Sequence, residues 1–136
     1  MIEKKVFIVD DDRLIQNFLE YALLGKGGYE VSVFPTAEEC IMNLDRKPDI
    51  IVLDHSFLGK EEPLMTGLEA LKKIRSTNSS VAVIILSSIE DSELIREYFE
   101  KGATEFIIKK GYFINYIFES IDKILQNQKP VNDPSM

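Results

Sequence analysis

The sequence predicts a doubly wound α/β fold, a (βα)₅ three-layer sandwich around a parallel sheet. Three observations carry this. Five short β-branched runs alternate with longer segments of 3.6-residue apolar period. Four of the five runs are apolar without alternation, as in strands covered on both faces. Glycine, proline and capping residues fall between the segments. Right-handed crossovers then place helices on both sides of the sheet.

The first run, Val6-Phe7-Ile8-Val9, is a buried strand. Leu14, Ile15, Phe18, Leu19, Ala22 and Leu23 form the apolar stripe of the first helix, which Gly25, Gly27 and Gly28 stop. The second run, Val31-Ser32-Val33-Phe34, alternates through Ser32 and suits an edge strand. Thr36 with Glu39 three residues later reads as a capping box for a second helix, whose stripe is Ala37, Cys40, Ile41 and Leu44. Pro48 separates it from the third run, Ile50-Ile51-Val52-Leu53, and Leu68, Leu71 and Ile74 mark the third helix. The fourth run is Val81-Ala82-Val83-Ile84-Ile85-Leu86. Leu94, Ile95, Tyr98 and Phe99 follow as the fourth helix, closed by Gly102. Phe106-Ile107-Ile108 is the fifth strand, and Ile114, Ile117, Phe118, Ile121, Ile124 and Leu125 form the last stripe. Residues 1–128 read as one domain. Residues 129–136, with two prolines and little to bury, read as a flexible tail or the start of a truncated linker.

A chain of 136 residues is long enough to bury a core without a disulfide or metal staple. Lysine and arginine number 16 against 23 acidic residues, giving a net charge of −7. Such a surface repels a phosphate backbone, so nucleic-acid binding is not expected. Cys40 is the single cysteine, which excludes an internal disulfide and points to a reducing compartment. The apolar runs are too short and too often interrupted by charge to span a membrane, and the run directly before Asp10, Val6-Phe7-Ile8-Val9, is too short for a signal-peptide core. The expected location is cytoplasmic.

Ligands in doubly wound sheets bind beyond the carboxyl ends of the strands. Strand one ends in Asp10-Asp11-Asp12, strand three in Asp54, strand four in Ser87-Ser88 and strand five in Lys109. Crowded carboxylates make one another harder to ionise, and a hard divalent cation such as Mg²⁺ relieves that repulsion. A carboxylate, Mg²⁺, a lysine and a hydroxyl around one point constitute a phosphoryl-transfer site. Any one of these residues has a plainer use, and Asp12 reads simply as a helix cap. Four strands delivering the needed groups to one rim favour the functional reading.

On these residues the chain resembles a response-regulator receiver domain of two-component signalling, over about residues 4–127. The resemblance is carried by Val9-Asp10-Asp11-Asp12, Pro48-Asp49-Ile50-Ile51-Val52-Leu53-Asp54, Gly67-Leu68-Glu69-Ala70-Leu71, Leu86-Ser87-Ser88 and Gly102-Ala103-Thr104-Glu105-Phe106-Ile107-Ile108-Lys109. It implies a flavodoxin-like fold with parallel strand order 2-1-3-4-5. It also implies Asp54 as phosphoacceptor, and Asp10, Asp11, Asp54 and the backbone carbonyl of Ser56 as holders of Mg²⁺ or Mn²⁺. Ser87 and Lys109 would bind the phosphoryl group, with Phe106 as the aromatic switch. The implied partners are a histidine kinase or histidine phosphotransfer protein upstream. Downstream, a protein target or a second copy would dock on the face formed by helix four, strand five and helix five. On that face we expect Tyr98, Lys101, Phe106, Tyr112 and Tyr116.

The sequence departs from the family in two places. Lys110 stands where proline usually follows the lysine, and a cis bond before a non-proline residue costs ~2.5–4 kcal/mol, so the 109–110 peptide is expected to be trans. The loop from Asp54 to Gly67 is several residues longer than usual. Its Phe57, Leu58, Leu64 and Met65 suit packing onto the domain, and Lys60, Glu61 and Glu62 form a solvated tip. His55 faces away from Asp54 if the strand continues and reads as a bystander, the alternative being a titrating neighbour of the site. Cys40 reads as core and Phe113 as packing. The expectation is a stand-alone phosphoacceptor signalling domain, not an enzyme. Its rivals are the receiver half of a longer regulator or hybrid kinase, and a Mg²⁺-dependent aspartyl-phosphate hydrolase, whose two aspartates Asp10 and Asp12 would match. A flavodoxin-type cofactor binder is disfavoured because Asp10-Asp11-Asp12 has the wrong charge for a phosphate loop.

Overall fold

The computed structural model describes residues 3–55 and 65–127. Ser56, Phe57, Leu58, Lys60, Glu61, Glu62, Leu64 and the tail from 129 lie outside the described residues. The elements are β1 (Lys4–Val9), α1 (Arg13–Lys26), β2 (Tyr29–Phe34), α2 (Ala37–Met42), β3 (Ile50–Asp54), α3 (Gly67–Thr77), β4 (Ala82–Ser87), α4 (Ser92–Glu100), β5 (Glu105–Ile108) and α5 (Phe113–Asn127). A single 3₁₀ turn, Leu44–Arg46, continues from α2. The strands are all parallel in the order β2-β1-β3-β4-β5, so β2 is an edge strand as its alternation predicts.

Strand periodicity sorts the core into two halves. Phe7, Val9, Ile51, Leu53, Val83 and Ile85 face α2, α3 and α4, where they meet Cys40, Leu71, Ile74 and Tyr98. Val6, Ile8, Ile50, Val52, Ile84 and Leu86 face α1 and α5, against Leu19, Leu23, Ile117 and Ile121. Both faces of β1, β3 and β4 are therefore dry, which is why their sequences do not alternate. Burying one such side chain contributes roughly 1.5–3 kcal/mol. Cys40 is fully buried and its thiol is pushed up to about 12 by burial, a core residue as expected.

Local signals set the element ends. Asp12 caps α1, its side chain accepting from the N–H groups of Leu14 and Ile15. Thr36 caps α2, accepting from Glu39 N, but the Glu39 carboxylate does not return to the Thr36 backbone, so only half of the predicted box forms. The complete box is at α3, where Thr66 and Glu69 satisfy each other's backbone N–H. At the amino ends of the strands, Arg75 of α3 donates to the Gly102 carbonyl through Nη2 (2.7 Å) and Nε (3.0 Å), and to the Val81 carbonyl through Nη1 (2.6 Å). Gly102 has φ +105°, and a Cβ there would meet Arg75 Nε at 2.7 Å.

Two expectations about surfaces change. On α1 only Leu19 and Leu23 of the predicted stripe are fully buried, while Leu14 and Phe18 are 76% and 56% exposed. The stripe is wider than the arc a helix can press against a sheet, so its outer edge joins Tyr21 in an exposed apolar strip. Tyr98 is not on the face of α4, β5 and α5; it is 0% exposed, because its place in the α4 stripe aims it inward. Lys101, Tyr112 and Tyr116 are exposed there, and Phe106 is half-buried.

Candidate functional site

Parallel pairing puts the ends of four strands on one rim. Val9 pairs with Leu53 in register, so Asp10 comes one step past β1 beside Asp54, the last residue of β3. Ser87 pairs with Ile108, and Lys109 follows, its N–H donating to the Ser87 carbonyl at 2.8 Å. The rim lies at the reversal of strand order between β1 and β3, where the flanking crossovers diverge and open a crevice.

Lys109 is the centre of the polar cluster. Its Nζ lies 2.8 Å from Asp54 Oδ1 and 3.2 Å from Asp10 Oδ2. Both carboxylates are nearly inaccessible, at 4% and 1% exposure. Burial pushes Asp54 up to about 6, with the Asp10 charge adding to the shift and the Lys109 hydrogen bond opposing it. Asp10 is likewise raised, chiefly by burial, against a hydrogen bond from the Asp12 N–H and the charge of Lys109. Lys109 is held above its ordinary value by its two carboxylate partners, which outweigh its own burial. One cation therefore faces a surplus of negative charge in a poorly solvated place. Asp10, Asp11 and Asp54 each offer an oxygen within 4.8 Å of the others. A hard cation with ligands at ~2.1 Å could reach all three with little rearrangement, and the hard carboxylate oxygens suit it.

The remaining predicted residues divide. Asp12 is turned away into its capping bonds and does not join the cluster. Ser87 is buried beside it, but its hydroxyl is held in a local turn, accepting from Ile89 N at 2.9 Å and donating to Ile89 O at 3.2 Å. Phe106 lies deeper along β5, packed on the inner core with its ring centroid 5.5 Å from that of Tyr98. Ser56 lies outside the described residues. The 109–110 peptide is trans. Lys110 N–H donates to the Ile108 carbonyl at 2.8 Å, a bond that proline could not make, and its Nζ pairs with Glu90 at 2.8 Å at the surface.

His55 is not a bystander. It does face away from the pocket, but there its Nδ1 hydrogen-bonds the Tyr98 hydroxyl. Sequence reasoning also missed Gln16, whose side-chain amide donates to the Asp10 carbonyl and steadies the acidic turn. The α4 stripe already placed Tyr98 inward, and a buried phenol needs a polar partner. That was the available signal.

Comparison with known proteins places this geometry. The family model for the response regulator receiver domain matches residues 6–116. The chemotaxis protein CheY of Thermotoga maritima is 28% identical over 123 residues, covering 89% of this chain and 97% of that one. The protein-glutamate methylesterase/protein-glutamine glutaminase of Treponema denticola is 33% identical over 133 residues, 92% of this chain but 34% of the longer protein. Among solved structures, a CheY-like receiver domain from Methanospirillum hungatei superposes with a TM-score of 0.79 at 25% identity, over 93% of this chain and 96% of that one.

Proposed function

The chain belongs to the response-regulator receiver domain family, and from that premise we propose that Asp54 accepts a phosphoryl group from a phosphohistidine of a histidine kinase or phosphotransfer protein. An Asp54 carboxylate oxygen forms the new bond to phosphorus as the phosphorus–nitrogen bond breaks, and the electron pair leaves with the donor imidazole. The observation that carries the reading is the convergence of Asp10, Asp11 and Asp54 on one rim around the Lys109 ammonium.

Each residue has a part. Asp10, Asp11 and Asp54, with the Ser56 carbonyl on the strength of the resemblance, hold Mg²⁺ or Mn²⁺. When bound, the metal supplies positive charge against the phosphoryl oxygens. Lys109 gives up its direct contact with Asp54 to pair with a phosphoryl oxygen, in a site already shaped for negative charge. Ser87 leaves its turn with Ile89 to donate to another. The space it vacates admits Phe106, and the exposed residues of α4, β5 and α5, among them Lys101, Tyr112 and Tyr116, present the changed surface to a protein target or a second copy. The commitment of Asp12 to capping α1 counts against the aspartyl-phosphate hydrolase, which would need that side chain at the phosphorus. Among the described residues no helix is long and apolar enough to cross a membrane.

Incubation with Mg²⁺ and acetyl phosphate, followed by intact-mass measurement, tests the assignment. One phosphoryl adduct is expected on the native chain and none on Asp54→Asn. An adduct retained by the variant, or sustained turnover of a small phosphomonoester, overturns it.

A further inference from the structure

Tyr98 stands in the last turn of α4 with no exposed surface. Its hydroxyl needs a partner there, because a buried polar group left unpaired is costly. The partner is Nδ1 of His55, the residue directly after Asp54. Burial pushes the phenol up and the imidazole down, so the phenol keeps its proton and donates it to a neutral ring. The two rings also meet edge to face with centroids 5.4 Å apart. The backbone of His55 is fastened on both sides. Its N–H donates to the Leu86 carbonyl at 2.8 Å, and its carbonyl accepts from Gly67 N at 2.9 Å. A Cβ on Gly67 would meet the Tyr98 hydroxyl at 2.7 Å, so α3 and α4 can close over this bond only with glycine at that position. On the other side of Tyr98 is the ring of Phe106, 5.5 Å away between centroids. One buried phenol thus touches the neighbour of the phosphoacceptor and the aromatic ring assigned to the switch.

We propose that the Tyr98–His55 hydrogen bond is a latch holding α4 in its unphosphorylated position, and that Tyr98 is the positioning residue through which a change at Asp54 reaches Phe106. The proposal rests on the receiver reading of Asp54. The bond closes only while α4 keeps Tyr98 over the end of β3. A displaced α4 leaves the phenol buried and unpaired, so the latch weights the resting state roughly fivefold to tenfold, the worth of one net hydrogen bond. Removing the hydroxyl while keeping the ring should release that weight without touching the acidic pocket.

The test uses the full chain, isotopically labelled, with and without Mg²⁺ and acetyl phosphate. Intact mass and amide chemical shifts are read on the same samples. Tyr98→Phe should form the phosphoryl adduct to the wild-type extent. Before phosphorylation, its α4 and β5 resonances should already lie displaced toward the phosphorylated wild-type positions, by the fivefold to tenfold population shift. His55→Leu should reproduce the displacement, the double variant should add nothing, and His55→Gln, which can still accept from the phenol, should stay near wild type. Wild-type resonance positions in unphosphorylated Tyr98→Phe, or unequal effects of Tyr98→Phe and His55→Leu, overturn the latch. If Tyr98→Phe does not fold, His55→Leu against His55→Gln decides in its place. Loss of folding in both Tyr98→Phe and His55→Leu makes the bond a structural tie and also overturns the latch. An absent adduct on the native chain instead overturns the assignment of Asp54 itself.

Discussion

The acidic rim and the aromatic cluster beside it are built on opposite principles. Around Lys109 the groups are ionic, drawn from three strand ends, and held at a charge imbalance that burial makes worse. Around Tyr98 the groups are neutral rings in close contact, with the Tyr98 hydroxyl paired to His55 Nδ1. They meet at one peptide unit, Asp54–His55, whose side chains point to opposite sides of the sheet. On the proposed function the rim gains when a cation or phosphoryl group arrives, whereas the cluster loses a buried hydrogen bond if it is disturbed. Binding chemistry and mechanical resistance are thus kept apart by the two-residue period of a strand.

Truncation separates the two regions most sharply. Tyr98→Ala empties the largest fully buried side chain and should cost about 3–5 kcal/mol in chemical denaturation. Mg²⁺ affinity measured on the folded fraction should stay within about twofold of wild type, since no ligand has moved. A large loss of metal affinity would merge the two regions into one.

At the rim, removing charge should do the reverse. Asp54 lies at about 6 in the folded chain against 3.8 as its ordinary value. The folded state therefore binds the proton more tightly than the unfolded state does. Without divalent metal, this group's contribution should fall as pH rises from about 4 to 6, and the loss should persist above 6. Asp54→Asn should accordingly stabilise the metal-free protein at pH 7.5 by about 1–3 kcal/mol, and flatten that stretch of the pH profile. Denaturation midpoints in EDTA against pH check both statements. A variant less stable than wild type under these conditions would mean that the Lys109 pair outweighs the burial of Asp54.

The smallest effect distinguishes neighbours within the acidic turn. Asp12→Ala should lose about 1 kcal/mol of stability through the lost cap, with Mg²⁺ affinity little changed. Asp11→Ala should leave stability nearly intact and weaken Mg²⁺ binding severalfold. Calorimetric titration beside thermal melts reads both, and equal losses of affinity would erase the assigned difference.

The same contrast explains what sequence could show. Asp10, Asp54, Ser87 and Lys109 are legible because each follows a β-branched run, and parallel pairing brings such positions together without further information. Asp12 is legible as a cap because its partners are two and three residues away. The Tyr98–His55 bond joins residues 43 positions apart on different elements, and no local period carries it. The outward turn of Leu14 and Phe18 was hidden for a related reason, since periodicity gives the direction of a stripe but not the width of the surface it meets. The Thr66–Glu69 box is absent from the predicted caps although its spacing is in plain view, beginning two residues before Leu68 of the stripe it serves.

Arg75 fixes the far end of α4 to the sheet. Its guanidinium ties the Gly102 carbonyl, just past the last turn of α4, to the Val81 carbonyl at the start of β4, at the edge of the sheet remote from Asp54. A helix of 9 residues, pinned at that end, should swing instead of slide if phosphorylation displaces it. With ~1.5 Å of rise per residue its free end lies about 13 Å from the pivot. Ser92 and Glu93 would then sweep the widest arc, and Tyr98, close to the pivot, a narrow one. On the proposed function, a tight contact near that hinge should govern a broad excursion at the tip, and a partner should sense the first turn of α4 most strongly.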